Sequence, residues 1–187
     1  MQPFPEIETS RLRLRELVPG DAPTILAIHG NAVAMRLFGT DPLKNIEEAE
    51  ELIEKFASWR AMPNPGVRWG LEEKGTQRLV GTCGLFLWNR DWRKCATGYE
   101  LAPDAQGRGL MTEALTAAFS WGFAEMNLNR IEAQIHAANT PSLNLATKLG
   151  FQHEGRLRQV ARWGGEFHDL LQFSLLRCDW RPAAGAT

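Results

Sequence analysis

Among 187 residues the sequence holds one tyrosine, Tyr99, and three cysteines, Cys83, Cys95 and Cys178, with no C-x-x-C pair. Cysteines so few and so scattered give neither a disulfide framework nor a zinc site. The histidines, His29, His136, His153 and His168, lack the H-E-x-x-H spacing that puts two on one helix face, so no metal is expected. An excess of one charge is also missing. The net charge of −1 leaves no electrostatic footprint for bulk nucleic-acid binding. No apolar run is long enough to span a bilayer, and Met1-Gln2-Pro3-Phe4-Pro5-Glu6 has neither the basic region nor the apolar stretch of a secretion signal. These absences point to a reduced, cytoplasmic protein without membrane contact. With 44% apolar and 23% charged residues the chain reads as globular. Its length suits one domain, with a core from about residue 9 to 180 and a tail that frays.

What is present is concentrated in Gln106-Gly107-Arg108-Gly109-Leu110-Met111-Thr112-Glu113-Ala114. Two glycines end an extended segment, Tyr99-Glu100-Leu101-Ala102, and open a helical one. The first N–H groups of a helix have no intrahelical partner, and the helix dipole favours negative charge there. Glycines remove the Cβ atoms that would hold a phosphate away. The run is not a nucleotide-hydrolase loop, because G-x-x-x-x-G-K-[ST] is absent. It is not a dinucleotide fingerprint either, because Thr112 stands where a third glycine or alanine belongs.

Around this turn the patterning predicts a strand at Arg11–Leu17, a helix capped by Asp21 and running to His29, and a second helix over Asn45–Ala61. Glu47, Glu48, Glu50 and Glu51 make the second helix acidic at its start. Strands follow at Val67–Glu72, Arg78–Leu87 and Cys95–Ala102. A helix from Leu110 to Gly122, a strand at Ile131–Ile135, a short helix from Pro141 to Leu149 and a hairpin turning at Gly164-Gly165 complete the order. That mixture predicts an α+β domain around a mixed, mostly antiparallel seven-stranded sheet flanked by about four helices.

Asp104-Ala105-Gln106-Gly107-Arg108-Gly109 resembles the pyrophosphate loop Q/R-x-x-G-x-G/A of the GNAT family of N-acetyltransferases. Its aspartate departs from the first position, while both glycines match. Ala138-Asn139-Thr140-Pro141-Ser142, followed by Lys148-Leu149-Gly150-Phe151, resembles the family's N-x-x-S…K-L-G-F segment. The likeness runs from about Thr9 to Trp180 and is strongest to the ribosomal-protein N-acetyltransferase-like (RimJ/RimL) branch. It implies the GNAT fold, with two strands splayed to admit the pantetheine arm, acetyl-CoA as co-substrate and, as this branch often pairs, a homodimer. It also implies that Leu101, Ala102, Gln106, Gly107, Arg108, Gly109, Leu110, Met111, Thr112, Asn139, Asn144 and Lys148 contact the cofactor. Glu113 is expected to complement the helix start rather than touch the ligand.

Acetyl transfer needs a neutral amine and a protonated leaving thiolate. Glu100, on the strand beside the expected thioester, is the candidate base, directly or through water. Ser142 is the candidate acid, with Tyr99 as the alternative. No Ser-His-Asp or Cys-His arrangement is evident, and Cys83 reads as inert core, so direct transfer is expected. By family analogy the acceptor lies between the early helices and the last hairpin, where Trp69, Trp88, Trp92 and Trp163 are candidate walls. The expected acceptor is a protein or peptide α-amine, such as a ribosomal-protein N-terminus. A small-molecule amine (polyamine, amino acid or antibiotic) and a non-catalytic acyl-CoA sensor are the rivals.

Overall fold

The computed structural model describes residues 3–181; the fraying expected of Pro182–Thr187 lies outside them. One eight-stranded sheet runs in the order β1-β2-β3-β4-β5-β6-β8-β7. Its strands are β1 (Ile7–Glu8), β2 (Leu12–Arg15), β3 (Val67–Glu73), β4 (Arg78–Asn89), β5 (Lys94–Leu101), β6 (Arg130–His136), β7 (Gln152–Trp163) and β8 (Glu166–Leu176). The helices are α1 (Ala22–His29), α2 (Ala32–Phe38), α3 (Ile46–Ser58), α4 (Leu110–Glu125) and α5 (Thr140–Lys148). All strand pairs are antiparallel except β5 with β6.

One strand and one helix exceed the sequence expectation. β1 is two residues long and pairs Ile7 with Leu14. α2 opens on Asn31, whose side chain accepts from the N–H groups of Val33 and Ala34 (both 3.1 Å), and closes at Gly39. Asp21 does not cap α1 as expected. Its carboxylate turns back to Arg15 (2.8 and 2.9 Å) and the Val18 N–H (2.9 Å), because a charged hydrogen bond to a guanidinium outweighs a neutral cap.

Apolar residues pack on both sheet faces. The larger cluster joins Leu12, Trp69, Leu85 and Ile131 to Leu110, Leu115 and Phe119 of α4 and Ala146 of α5. A smaller one joins α1 and α3 to the sheet through Ile25, Ile53, Phe56, Leu17 and Leu79. The amphipathic α3 leaves Glu47, Glu50, Glu51 and Glu54 exposed.

Candidate active site

The parallel pair opens a gap in the sheet. β5 and β6 are in register only at Lys94↔Arg130, Cys95↔Ile131 and Ala96↔Glu132, and no pairing continues beyond. A cleft of about 340 Å³ fills the divergence, lined by Thr97, Gly98 and Tyr99 of β5 and Ala133, Gln134 and Ile135 of β6, among others. Ala102 donates its N–H to the Val80 carbonyl (2.9 Å). Backbone groups alternate in direction along a strand, so those of Leu101, Tyr99 and Thr97 face the gap. Ala102, expected to offer backbone to a ligand, uses its N–H within the sheet instead.

At the end of β5 the chain turns through Gly107 (φ +71°) and Gly109 (φ +75°) into α4. An L-residue pays about 1–2 kcal/mol for that left-handed backbone, which is why glycines stand there. The first helical bond runs from the Glu113 N–H to the Gly109 carbonyl (3.2 Å). The N–H groups of Leu110, Met111 and Thr112 therefore precede the ladder. Those of Gly107, Arg108 and Gly109 have no protein acceptor among the described residues. Leu110 and Met111 bury their side chains in the core, leaving only backbone to face a ligand. Gln106 donates to the Leu101 carbonyl (3.2 Å). Arg108 pairs with Glu73 of β3 and Asp104 with Arg78, so neither side chain is directed to a phosphate.

Glu113 clamps the N-terminal turn to α4. Its carboxylate accepts from the Thr9 hydroxyl (2.6 Å), the Ser10 hydroxyl (3.0 Å), the Arg11 N–H (2.8 Å) and Arg11 Nε (2.6 Å). Partial burial pushes its pKa up, but these donors outweigh it and hold the carboxyl at about 2, below the ordinary 4.5. Glu113→Ala is expected to cost about 2 kcal/mol at pH 7, the scale of charged hydrogen bonds. A depressed carboxyl stabilises above its unfolded pKa and loses that contribution as pH falls through the folded one. The cost should therefore shrink between pH 4.5 and about 2; urea unfolding of both proteins at neutral and acid pH checks this, and an equal cost at both would contradict it.

On the other side of the cleft, Asn139 caps α5 by accepting from the Ser142 N–H (3.2 Å) and donates to the Leu37 carbonyl of α2 (3.2 Å). This places Ser142 in the cleft beside Tyr99, close enough for its hydroxyl to act on the phenol. Burial raises the Tyr99 pKa, and the nearby Ser142 hydroxyl only partly offsets it. The two alternative acids are thus neighbours across the gap. Asn144 and Lys148 are exposed on α5, with no partner among the described residues.

Glu100 sits deeper than a strand-surface carboxylate. It is buried, accepts from Arg68 Nη2 and the Thr82 hydroxyl, and lies 3.1 Å from His29 Nε2. Burial pushes its pKa up, yet the Arg68 charge and the His29 contact prevail and hold it at about 2. A proton acceptor works best with a pKa near the working pH, so the direct base role expected of Glu100 does not fit this environment. The sequence could not supply Arg68 and His29, which are 32 and 71 residues away.

The remaining cleft wall is largely apolar: Leu37 and Phe38 of α2, Phe86 and Leu87 of β4, and Leu170 of β8. Leu87 sits at φ +55° where the β4–β5 register shifts, a bulge that bends β4 at the cleft. The expected tryptophans are not among the residues lining this cleft. Trp69 is fully buried and donates to the Pro5 carbonyl (2.6 Å), Trp163 stacks on His168 at 3.7 Å, Trp88 lies under Arg90 at 4.5 Å, and Trp92 is 71% exposed. Among the described residues no cluster of three or more His, Cys, Asp or Glu could hold a metal, and no helix is long and apolar enough to cross a membrane.

Residues 11–152 match the acetyltransferase (GNAT) domain. The chain is 34% identical over 174 residues to the uncharacterized N-acetyltransferase YoaA of Bacillus subtilis, covering 93% of this chain and 98% of that protein. It is 30% identical over 115 residues to the [ribosomal protein uS5]-alanine N-acetyltransferase of Escherichia coli, covering 61% of this chain and 59% of that protein. The crystal structure of spermidine N-acetyltransferase from Vibrio cholerae, in complex with CoA and spermine, superposes with a TM-score of 0.78 at 26% identity, covering 91% of this chain and 98% of that one. The glycine turn, the splayed strands and these likenesses agree: the chain belongs to the GNAT family of acetyltransferases.

Proposed function

We propose that the protein moves the acetyl group of acetyl-CoA directly to the α-amine at a peptide or protein N-terminus. Acetyl-CoA is the co-substrate, and the chain's own geometry suits it. The N–H groups from Gly107 to Thr112 are left without a helical acceptor and suit a pyrophosphate, and the edge of β5 beyond its three paired residues, at Tyr99 and the Leu101 N–H, matches amides laid along it as an added strand. Gly109 and Gly107 leave the space before these donors open, since a Cβ at Gly107 would meet nothing within 4 Å.

In the transfer step the amine nitrogen attacks the thioester carbonyl. A C–N bond forms, the C–S bond breaks, and the nitrogen gives up a proton. An N–H on the β5 edge is the natural oxyanion donor. The Ser142–Tyr99 hydroxyl pair supplies a proton to the departing sulfur. Glu100 stays ionised, holding Arg68 in the interior, and the amine proton leaves through water in the cleft. An acyl-enzyme on Cys83 is disfavoured because burial pushes that thiol up to about 12.

The acceptor class rests on one observation: among the described residues the cleft offers no unpaired carboxylate. Glu132 bonds Arg130 (2.7 Å) and Lys94 (3.3 Å), and Glu100 is occupied by Arg68. A polyamine would bring further ammonium groups to an apolar wall, whereas a peptide N-terminus brings one amine on a neutral backbone, and an unpaired charge against apolar surface is costly. The measurement is kcat/KM for an alanine-starting peptide against spermidine. The peptide should be favoured by at least about tenfold, equivalent to 1.4 kcal/mol; the reverse preference would overturn the acceptor assignment.

A further inference from the structure

Outside the groups assigned to the reaction, His29 is a buried titratable side chain that touches both Glu100 and the cleft wall. It ends α1, is 4% exposed, and its Nε2 lies 3.1 Å from Glu100 Oε1. An ionised carboxylate accepts only, so Nε2 must carry the hydrogen. The ring meets Phe38 edge-on, with centroids 5.7 Å apart and planes at 89°. Phe38 ends α2 and lines the cleft. The His29 carbonyl also accepts from the Leu43 N–H (3.0 Å), fixing the chain beyond α2. One side chain thus connects the carboxylate on the strand bordering the splay to the aromatic wall facing it, while Asn139 holds the same helix at Leu37 from the other side.

We propose that His29 is a positioning residue for the acceptor: its Nε2–H bond to Glu100 and its edge contact with Phe38 set the cleft wall against β5. This rests on the acetyltransferase reading of the cleft. Loss of the tie loosens the wall where the amine docks and leaves the glycine turn untouched, since that lies at the other end of the site. The effect therefore falls on acceptor KM rather than on acetyl-CoA binding.

The test compares His29→Ala and His29→Gln with the wild type, using an alanine-starting peptide and spermidine as acceptors and calorimetry for acetyl-CoA. His29→Ala should raise acceptor KM about tenfold, the scale of one charge-assisted hydrogen bond, with kcat and acetyl-CoA affinity within about twofold. His29→Gln restores an N–H donor toward Glu100 and should recover part of that loss. A fall in kcat at unchanged KM, or no recovery with Gln, would overturn the positioning role. A second reading needs no acceptor: in protein with its nine phenylalanines 13C-labelled, His29→Ala should shift or broaden the Phe38 ring resonances, and an unchanged Phe38 would overturn the proposal. Turnover of neither acceptor by the wild type would count against the acceptor reading, while the Phe38 spectrum would still decide the tie.

Discussion

Glu100→Gln is expected to destabilise the protein by about 3–5 kcal/mol at pH 7, the cost of stripping the partner from a buried charge. Arg68 is the charge left behind. Its side chain is 2% exposed, and its guanidinium lies over the Phe56 ring at 4.9 Å. Its other partners, the Thr82 hydroxyl (2.7 Å) and the Gly98 carbonyl (3.0 Å), are neutral and do not replace a counter-charge. The effect carries a pH signature. Glu100 titrates near 2 when folded, against an ordinary 4.5, so its contribution is complete above pH 4.5 and drains away as pH falls toward 2. The stability gap between wild type and variant should narrow over that window. Adding Arg68→Met to Glu100→Gln should recover much of the loss, since an apolar replacement removes the stranded charge. Urea unfolding of the three proteins checks this, and a loss under about 1 kcal/mol in the single variant would place the pair in the class of surface salt bridges. Activity lost by Glu100→Gln therefore reports on the interior before it reports on proton abstraction.

The second large effect is expected at the hydroxyl pair. Ser142→Ala and Tyr99→Phe should each lower kcat by about a hundredfold, the lower end for a lost general acid, with acetyl-CoA affinity nearly unchanged. The Tyr99 phenol is partly buried and its pKa raised, so it stays protonated at neutral pH, with the Ser142 hydroxyl its neighbour across the cleft. Residues that act as one unit are not additive, so the double variant should be scarcely worse than the worse single one. Stopped-flow or steady-state kinetics on the four proteins decides the point. Multiplying effects would mean separate roles; unchanged kcat in both singles would mean that water protonates the sulfur.

The parts of this site readable from sequence are those set by neighbours along the chain. The turn at Gly107 and Gly109 and the short helix opening at Pro141 follow from backbone rules that operate within a few residues. β1 escaped because two residues carry no period. The start and stop signals of α2, Asn31 and Gly39, are present, but a helix of seven residues shows barely two turns of apolar pattern. Burial partners were illegible for another reason. Glu100 reads locally as a strand carboxylate, and its character comes from Arg68, Thr82 and His29, brought in from β3, β4 and α1. Trp69 shows the same effect: an aromatic that could line a site is held in the core by packing and by a bond to Pro5, 64 residues away. The splay was implied by resemblance alone; in the fold it appears as three residues of pairing followed by divergence.

The measurement that tests the account most directly is calorimetric titration of acetyl-CoA into the wild type and into Gly109→Trp. A Cβ at Gly109 would meet only Arg11 Nη2, at 3.7 Å, an ordinary van der Waals contact, so the side chain starts into open space. Its left-handed backbone adds strain of about 1–2 kcal/mol, which a folded domain tolerates. The indole would occupy the space before the free N–H groups of Leu110 to Thr112. Saturable binding by the wild type that disappears in a folded Gly109→Trp is the expected result. Equal affinity in both proteins, or no binding by the folded wild type at millimolar acetyl-CoA, would contradict the placement of the cofactor on this turn.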